Sequence, residues 1–197
     1  MNVNVGFAIF MLFVTVRGPD EPKVVEDIAV DDENDVRNAD PCTSRGCMWP
    51  KSSDGWVYVP FIIANHFSMS TLRCYSYIGR HGYAQTVSLD RNGCIYHNTV
   101  QHELLHALGF NHEQCRSDHD NHICSSGYKY AFDKINTLNQ GTPYDYNSVM
   151  QYHKTAFSKN GEPTMVPIPN SNVSFGQGTQ MSQNDITRLN RLYNCCK

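Results

Sequence analysis

The run His102-Glu103-Leu104-Leu105-His106 continues through Gly109 to His112, and it restricts the fold more than any other part of the chain. On a helix, the histidines at i and i+4 project from one face and are spaced to grip a single cation. Gly109 can adopt the left-handed conformation that stops a helix, so the chain can turn back and present His112 as a third donor. Three imidazoles leave one position of a tetrahedral zinc site open, the pattern of a catalytic site rather than a structural one. Glu103 sits beside the pair without being a ligand, placed to take a proton from an attacking water. The fold must therefore hold a helix centrally, turn sharply after it, and wall the site with elements from elsewhere. The pattern implies one Zn2+ per chain.

The 197 residues suffice for one domain of ordinary size with a core of its own. Residues 3–16 are almost wholly apolar and uncharged until Arg17. That stretch is short for a membrane span and suits the core of a signal peptide, so 1–18 is assigned that role. No other segment is apolar enough to cross a bilayer. Eight cysteines fit an oxidising compartment, and secretion is expected. Cys42 with Cys47 forms a tight local pair, and Cys74 with Cys94 closes a twenty-residue loop. The pairing of Cys115, Cys124, Cys195 and Cys196 stays open. No C-x-x-C knuckle occurs, so disulfides are preferred to a cysteine zinc cluster.

The net charge of −3 conceals a break. Residues 19–37 hold eight acids against Lys23 and Arg37, whereas from Asn38 onward 13 Lys and Arg face 11 Asp and Glu, a balance of +2. Residues 19–37 thus read as an acidic leader with few large apolar groups, flexible or wrapped on a partner surface. No basic run suggests nucleic acid. A monomer is expected, with no membrane partner.

Gly55 to Ile63 and Ala84 to Leu89 read as strands, the first limited by Pro60. Asn98 is expected to cap a helix reaching about Leu108, with Val100, Leu104, Leu105 and Leu108 apolar at helical spacing. Ser182 with Asp185 three residues on is a capping box, and Ile186, Leu189 and Leu192 give the following helix its apolar stripe. Between the helices Gly, Pro, Asn and Tyr dominate, which predicts loops. The pattern is α+β, with the metal helix between two halves.

The stretch from His102 to Asp120, together with Ser148-Val149-Met150-Gln151-Tyr152, closely resembles the signature and Met-turn of the astacin family of zinc metalloendopeptidases, a branch of the metzincins. Asn38-Ala-Asp-Pro-Cys42, Thr142-Pro-Tyr-Asp-Tyr146, Pro167-Ile-Pro-Asn170 and Met181-Ser-Gln-Asn-Asp185 are similar to the fish hatching enzymes, the low choriolytic type above all. The resemblance covers residues 38–197, the expected peptidase domain, and implies a two-part metzincin fold. It implies zinc on His102, His106 and His112, Glu103 as catalytic base, Met150 as an apolar floor, and Tyr152 as a hydroxyl that stabilises the transition state. Glu113 matches the residue that receives the mature amino terminus. Asp27 aligns with the leader aspartate that caps the zinc, although Glu26 stands where the family normally has Gly. Residues 19–37 become a propeptide, with activation cleavage at Arg37-Asn38. The implied substrate is extracellular protein, egg envelope in particular, with an extended chain pairing along Ala84–Leu89.

The chain also departs from that pattern. Roughly 35–40 residues that members carry after the first strand have no counterpart between Phe67 and Cys74, a large share of one half-domain. The amino-terminal sheet is therefore expected to be truncated to two or three strands, and Cys195 or Cys196 to lack its partner. A strand-like stretch of the family is replaced at Cys124-Ser-Ser-Gly127, and His119 stands for an expected Arg. The alternative reading is a catalytically impaired variant serving as a binding module or decoy.

Overall fold

The computed structural model describes residues 22–30, 42–63, 73–90, 93–125 and 129–195. The expected signal segment, the Arg37-Asn38 junction, the position of the expected gap after Phe67 and Cys196 lie outside the described residues. The elements in chain order are β1 (Lys23–Val25), β2 (Ile28–Val30), α1 (Cys42–Arg45), α2 (His97–Ala107), β3 (Ile123–Ser125), β4 (Met165–Pro167) and α3 (Gln183–Tyr193). Short 3-10 turns lie at Glu113–Cys115, His119–Asn121 and Lys129–Phe132.

Two apolar clusters make up most of the buried core, and one of them packs the metal helix. The first joins α2 to α3 through Leu105, Leu108, Val149, Met150, Leu189 and Tyr193. The second gathers Ile123, Ala131, Phe132, Tyr144, Ala156, Met165 and Phe175, with Tyr146 and Tyr152 packed against it. The capping box predicted for the last helix is present: the Ser182 side chain accepts from the Asp185 N–H, and the Asp185 carboxylate accepts from the Ser182 N–H. The cap predicted at Asn98 is not. The helix starts two residues earlier than that cap would give, at His97, with Tyr96 at its cap position and no side-chain cap bond. Asn98 Nδ2 instead donates to the Gly178 carbonyl at 3.0 Å, tying α2 to a distant loop.

The strand expectations need correction. Residues 55–63 form a single bridge, Lys51 to Val57, and residues 84–89 a single antiparallel bridge, Tyr75 to Ser88. Strands are stabilised by neighbours, and the described part of this half offers no continuous ladder to join. Trp56, Phe61, Ile62 and Ile63 are accordingly exposed, and so is Leu104 of α2. Conversely, Ile123–Ser125 is a strand after all, antiparallel to Met165–Pro167 with Cys124 opposite Val166. The expected disulfides Cys42–Cys47 and Cys74–Cys94 are both formed.

The acidic leader is not loose where it is described. β1 and β2 make an antiparallel hairpin, Val25 opposite Ile28, with Glu26 and Asp27 as its two-residue turn. Ala29 packs with Tyr75 and Tyr77, and the hairpin joins the body through Ala29 N–H to Ser76 O at 2.9 Å and Ser76 N–H to Asp27 O at 3.0 Å.

Candidate active site

The carboxyl end of α2 is held by partners for each of its last carbonyls, as a buried helix end requires. His106 O accepts from the Gly79 and Gly109 N–H groups, both at 2.8 Å, and Leu105 O from Phe110 N–H at 3.0 Å. Ala107 O accepts from the Trp49 indole at 2.7 Å and Leu108 O from the Tyr193 hydroxyl at 2.9 Å. Gly109 has φ +100°, and a Cβ there would stand 3.0 Å from Cys42 Cβ. The turn that returns the chain to His112 therefore needs glycine for its backbone and for its space.

His102, His106 and His112 converge as that spacing requires. Nε2 of His106 lies 3.0 Å from Nε2 of His102 and 3.2 Å from that of His112. Asp27, from the hairpin turn, closes the group: its Oδ2 is 3.0 Å from His102 Nε2 and its Oδ1 is 2.9 Å from His112 Nε2 and 3.7 Å from His106 Nε2. All four ligand atoms lie within 4.8 Å of one another. Bonds of about 2.0–2.1 Å in a tetrahedron put ligand atoms about 3.3 Å apart, so the donor set fits zinc. The outer nitrogens fit too, since Nδ1 of His102 faces Val149 O and Nδ1 of His106 faces Phe110 O, each at 2.7 Å. Such bonds leave Nε2 as the free lone pair.

Burial sets the electrostatics. It lowers the His106 imidazole to about 4, so the ring is a neutral donor. Burial alone would raise Asp27, but the His112 charge and the imidazoles of His102, His106 and His112 clustered on its carboxylate outweigh it and hold the carboxyl well below its ordinary range. Burial, with the Asp27 charge nearby, pushes Glu103 up to about 8. Glu103 is almost fully buried, and its Oε2 has no hydrogen-bond partner among the described residues.

Met150 is buried in the apolar cluster that also holds Leu105 and Leu108. Its carbonyl accepts from Glu113 N–H at 2.8 Å, which ties the Met-turn to the residue after His112. The ring of Tyr152 lies 4.3 Å from that of His112, and its hydroxyl donates toward Asp27 Oδ1 at 3.0 Å and Glu26 Oε2 at 3.1 Å. Glu113 is buried between two arginines, Arg188 at 2.5 Å and Arg116 at 3.1 Å.

Sequence reasoning misses three supports. Asp185, visible in the sequence as half of a cap, also accepts from Ser148 Oγ at 2.6 Å and Val149 N–H at 3.1 Å, so it fixes the Met-turn. Gln114 Oε1 accepts from Tyr152 N–H at 3.2 Å. Arg188, on the same face of α3 as Asp185, reaches Glu113, and its i+3 spacing from Asp185 is the one available signal.

The family model for the astacin peptidases matches residues 62–194. The chain belongs to the astacin family. It is 40% identical over 200 residues to high choriolytic enzyme 1 of Oryzias latipes, covering 81% of this chain and 74% of that protein. Low choriolytic enzyme of the same fish is 39% identical over 202 residues, with the same shares covered. Among solved structures, high choriolytic enzyme 1, described as a hatching enzyme zinc-protease from medaka, superimposes with a TM-score of 0.71 at 38% identity. That match covers 81% of this chain and 100% of that one. This astacin-family chain is thus an α+β zinc metalloendopeptidase, acting on protein substrates. Among the described residues, no helix is long and apolar enough to cross a membrane.

Proposed function

We propose that this astacin-family enzyme is secreted behind a signal segment at 1–18, is kept latent by residues 19–37, and degrades egg-envelope protein outside the cell. The observation that carries the reading is the convergence of three imidazole Nε2 atoms with the Asp27 carboxylate of the leader hairpin. In the working enzyme His102, His106 and His112 hold the zinc, which supplies Lewis acidity toward the scissile carbonyl and toward water. Glu103 takes the proton of the attacking water and returns it to the departing amine. Its buried Oε2, without a hydrogen-bond partner among the described residues, supports that role. Tyr152, released from the leader carboxylates, donates its hydroxyl to the developing oxyanion.

The leader occupies a backbone edge at Ser76, while Ser88 is already paired to Tyr75. The extended substrate therefore uses the Ser76 edge vacated by the leader, rather than the Ala84–Leu89 stretch. Cleavage at Arg37-Asn38 frees an amino terminus four residues before Cys42, and Cys42 lines a cavity of about 50 Å³ with Glu113, Arg116 and Arg188. That cavity suits the new terminus, with Glu113 as its acceptor. The envelope substrate rests on similarity to the choriolytic enzymes alone.

The test compares purified fish egg envelope with a denatured protein as substrates for the processed chain, with and without chelator. Release of soluble envelope fragments is expected. Hydrolysis of the denatured protein alone would remove the envelope assignment. Glu103→Gln should keep its zinc and lose nearly all hydrolysis, and His112→Ala should lose both. Substantial activity in Glu103→Gln would take the base role from Glu103.

A further inference from the structure

We propose that Glu26 is a positioning residue that pins the Tyr152 hydroxyl, so that the leader grips the site with two carboxylates, Asp27 on the histidines and Glu26 on the tyrosine. The proposal deepens the reading above that residues 19–37 keep the enzyme latent. A two-residue hairpin turn whose first central residue has positive φ, as in a type II′ turn, is where glycine is preferred. Glu26 occupies that position with φ 66°. A long acidic residue persists in such a conformation when its side chain is held. Here the side chain is 10% exposed, with Oε2 3.1 Å from the Tyr152 hydroxyl and 3.7 Å from His112 Nδ1.

The contacts around it are complementary. Tyr152 is held at its backbone by Gln114 and at its hydroxyl by the turn. A phenol has one proton, so the two carboxylates share it. His102 and His106 each present Nδ1 to a backbone carbonyl. Among the described residues, the acid facing Nδ1 of His112 is Glu26. A glycine in this turn would leave the leader touching the site through Asp27 alone. Departure of the hairpin therefore removes the Asp27 cap and also frees the hydroxyl that catalysis requires.

Asp27 lies across the three Nε2 atoms, so a chelator reaches a metal held there only when the hairpin lifts. The experiment loads the full chain with zinc, verifies by mass that the leader is attached, and follows metal removal by excess chelator with a zinc-responsive dye. The readout is a release rate and needs no turnover. Glu26→Ala should release zinc about tenfold faster than wild type, the loss expected for a charge-assisted hydrogen bond. Glu26→Gln keeps the shape without the charge and should fall between the two. Tyr152→Phe should be at least as fast as Glu26→Ala, and the double variant no faster than Tyr152→Phe, because both remove the same bond. Asp27→Asn is the control for the cap itself. Acceleration in Asp27→Asn with wild-type rates in both Glu26 variants would overturn the role of Glu26 and leave the latency reading standing. No acceleration in Asp27→Asn would defeat the latency reading, and Glu26 with it. A double variant as fast as the product of the single effects would show that Glu26 does not act through Tyr152.

Discussion

Replacing Arg188 with Met tests whether the ionic cluster beneath the metal loop supports the domain. The Arg188 guanidinium reaches Glu113 through two bonds, at 2.5 and 2.8 Å, and also donates to Pro143 O at 3.0 Å and, through Nε, to Thr142 Oγ1 at 2.6 Å. Side-chain exposure is 7% for Arg188 and 2% for Glu113, so both charges are out of water. Removing one partner of such a pair leaves the other buried and undercompensated, which costs about 3–5 kcal/mol. Glu113 would keep Arg116 at 3.1 Å and the Asp145 N–H at 2.7 Å, which favours the lower end of that range. In a domain this size each kcal/mol moves the melting temperature by about 2–4 °C, so a fall of roughly 6–12 °C is expected.

Thermal unfolding of the zinc-loaded full chain, followed by circular dichroism, measures it. The informative companion is Glu113→Gln with Arg188→Met. Removing both charges abolishes the uncompensated carboxylate, and Arg116 keeps Asp118 at 2.8 Å and two backbone carbonyls. The double variant should therefore cost less than Arg188→Met alone. A single variant that costs under about 1 kcal/mol, or a double that costs the sum of the two singles, would refute the reasoning.

Gly109→Ala should destabilise the chain and lower its zinc occupancy together, because the new Cβ meets Cys42 in a left-handed turn; metal analysis and unfolding check it. Of the three described free thiols, Cys124 and Cys195 are exposed and should react with a thiol reagent in the native state, whereas buried Cys115, its thiol pushed up by burial, should react only after unfolding. Burial raises the Tyr193 phenol from 10.0 to about 12. The folded state thus holds that proton more tightly, and its contribution is complete below pH 10 and lost as pH rises toward 12. The urea midpoint of Tyr193→Phe should fall less steeply than that of wild type across this interval.

The histidine cluster that could hold the zinc is legible in the sequence because its geometry is local. A helix, one glycine and a return of a few residues bring His102, His106 and His112 together, and each step has a signal in the residues themselves. Met150, Tyr152 and Asp27 emerge only through resemblance, since nothing near them in sequence says that they approach the histidines. Asp185 shows why supports escape such a reading: the residue is visible as a cap, but its two bonds to Ser148 and Val149 span more than thirty positions. Asn98 fails in the opposite direction, because a carbonyl eighty residues away claims its amide in place of the helix terminus. Residues 55–63 and 84–89 have strand-like composition. Composition supplies half a strand, and the other half is a neighbour.

The exposed apolar residues of the 56–63 stretch bear on which function depends most on packing around it. The hydrogen bonds that orient His102, His106 and the Met-turn originate in α2, the loop after it, residues 145–152 and α3. The end of α2 is held by Trp49, Gly79 and Tyr193, all present in the described chain. The exposed apolar residues include Leu104, Trp56, Phe61, Ile62 and Ile63, whose side chains have no part in the histidine network. Metal affinity should consequently resemble that of a longer astacin-family relative, whereas engagement of an extended substrate along the proposed Ser76 edge should be weaker. A raised KM at unchanged zinc content is the signature of that division. A normal KM with poor zinc retention would place the effect of that exposed stretch inside the metal site itself.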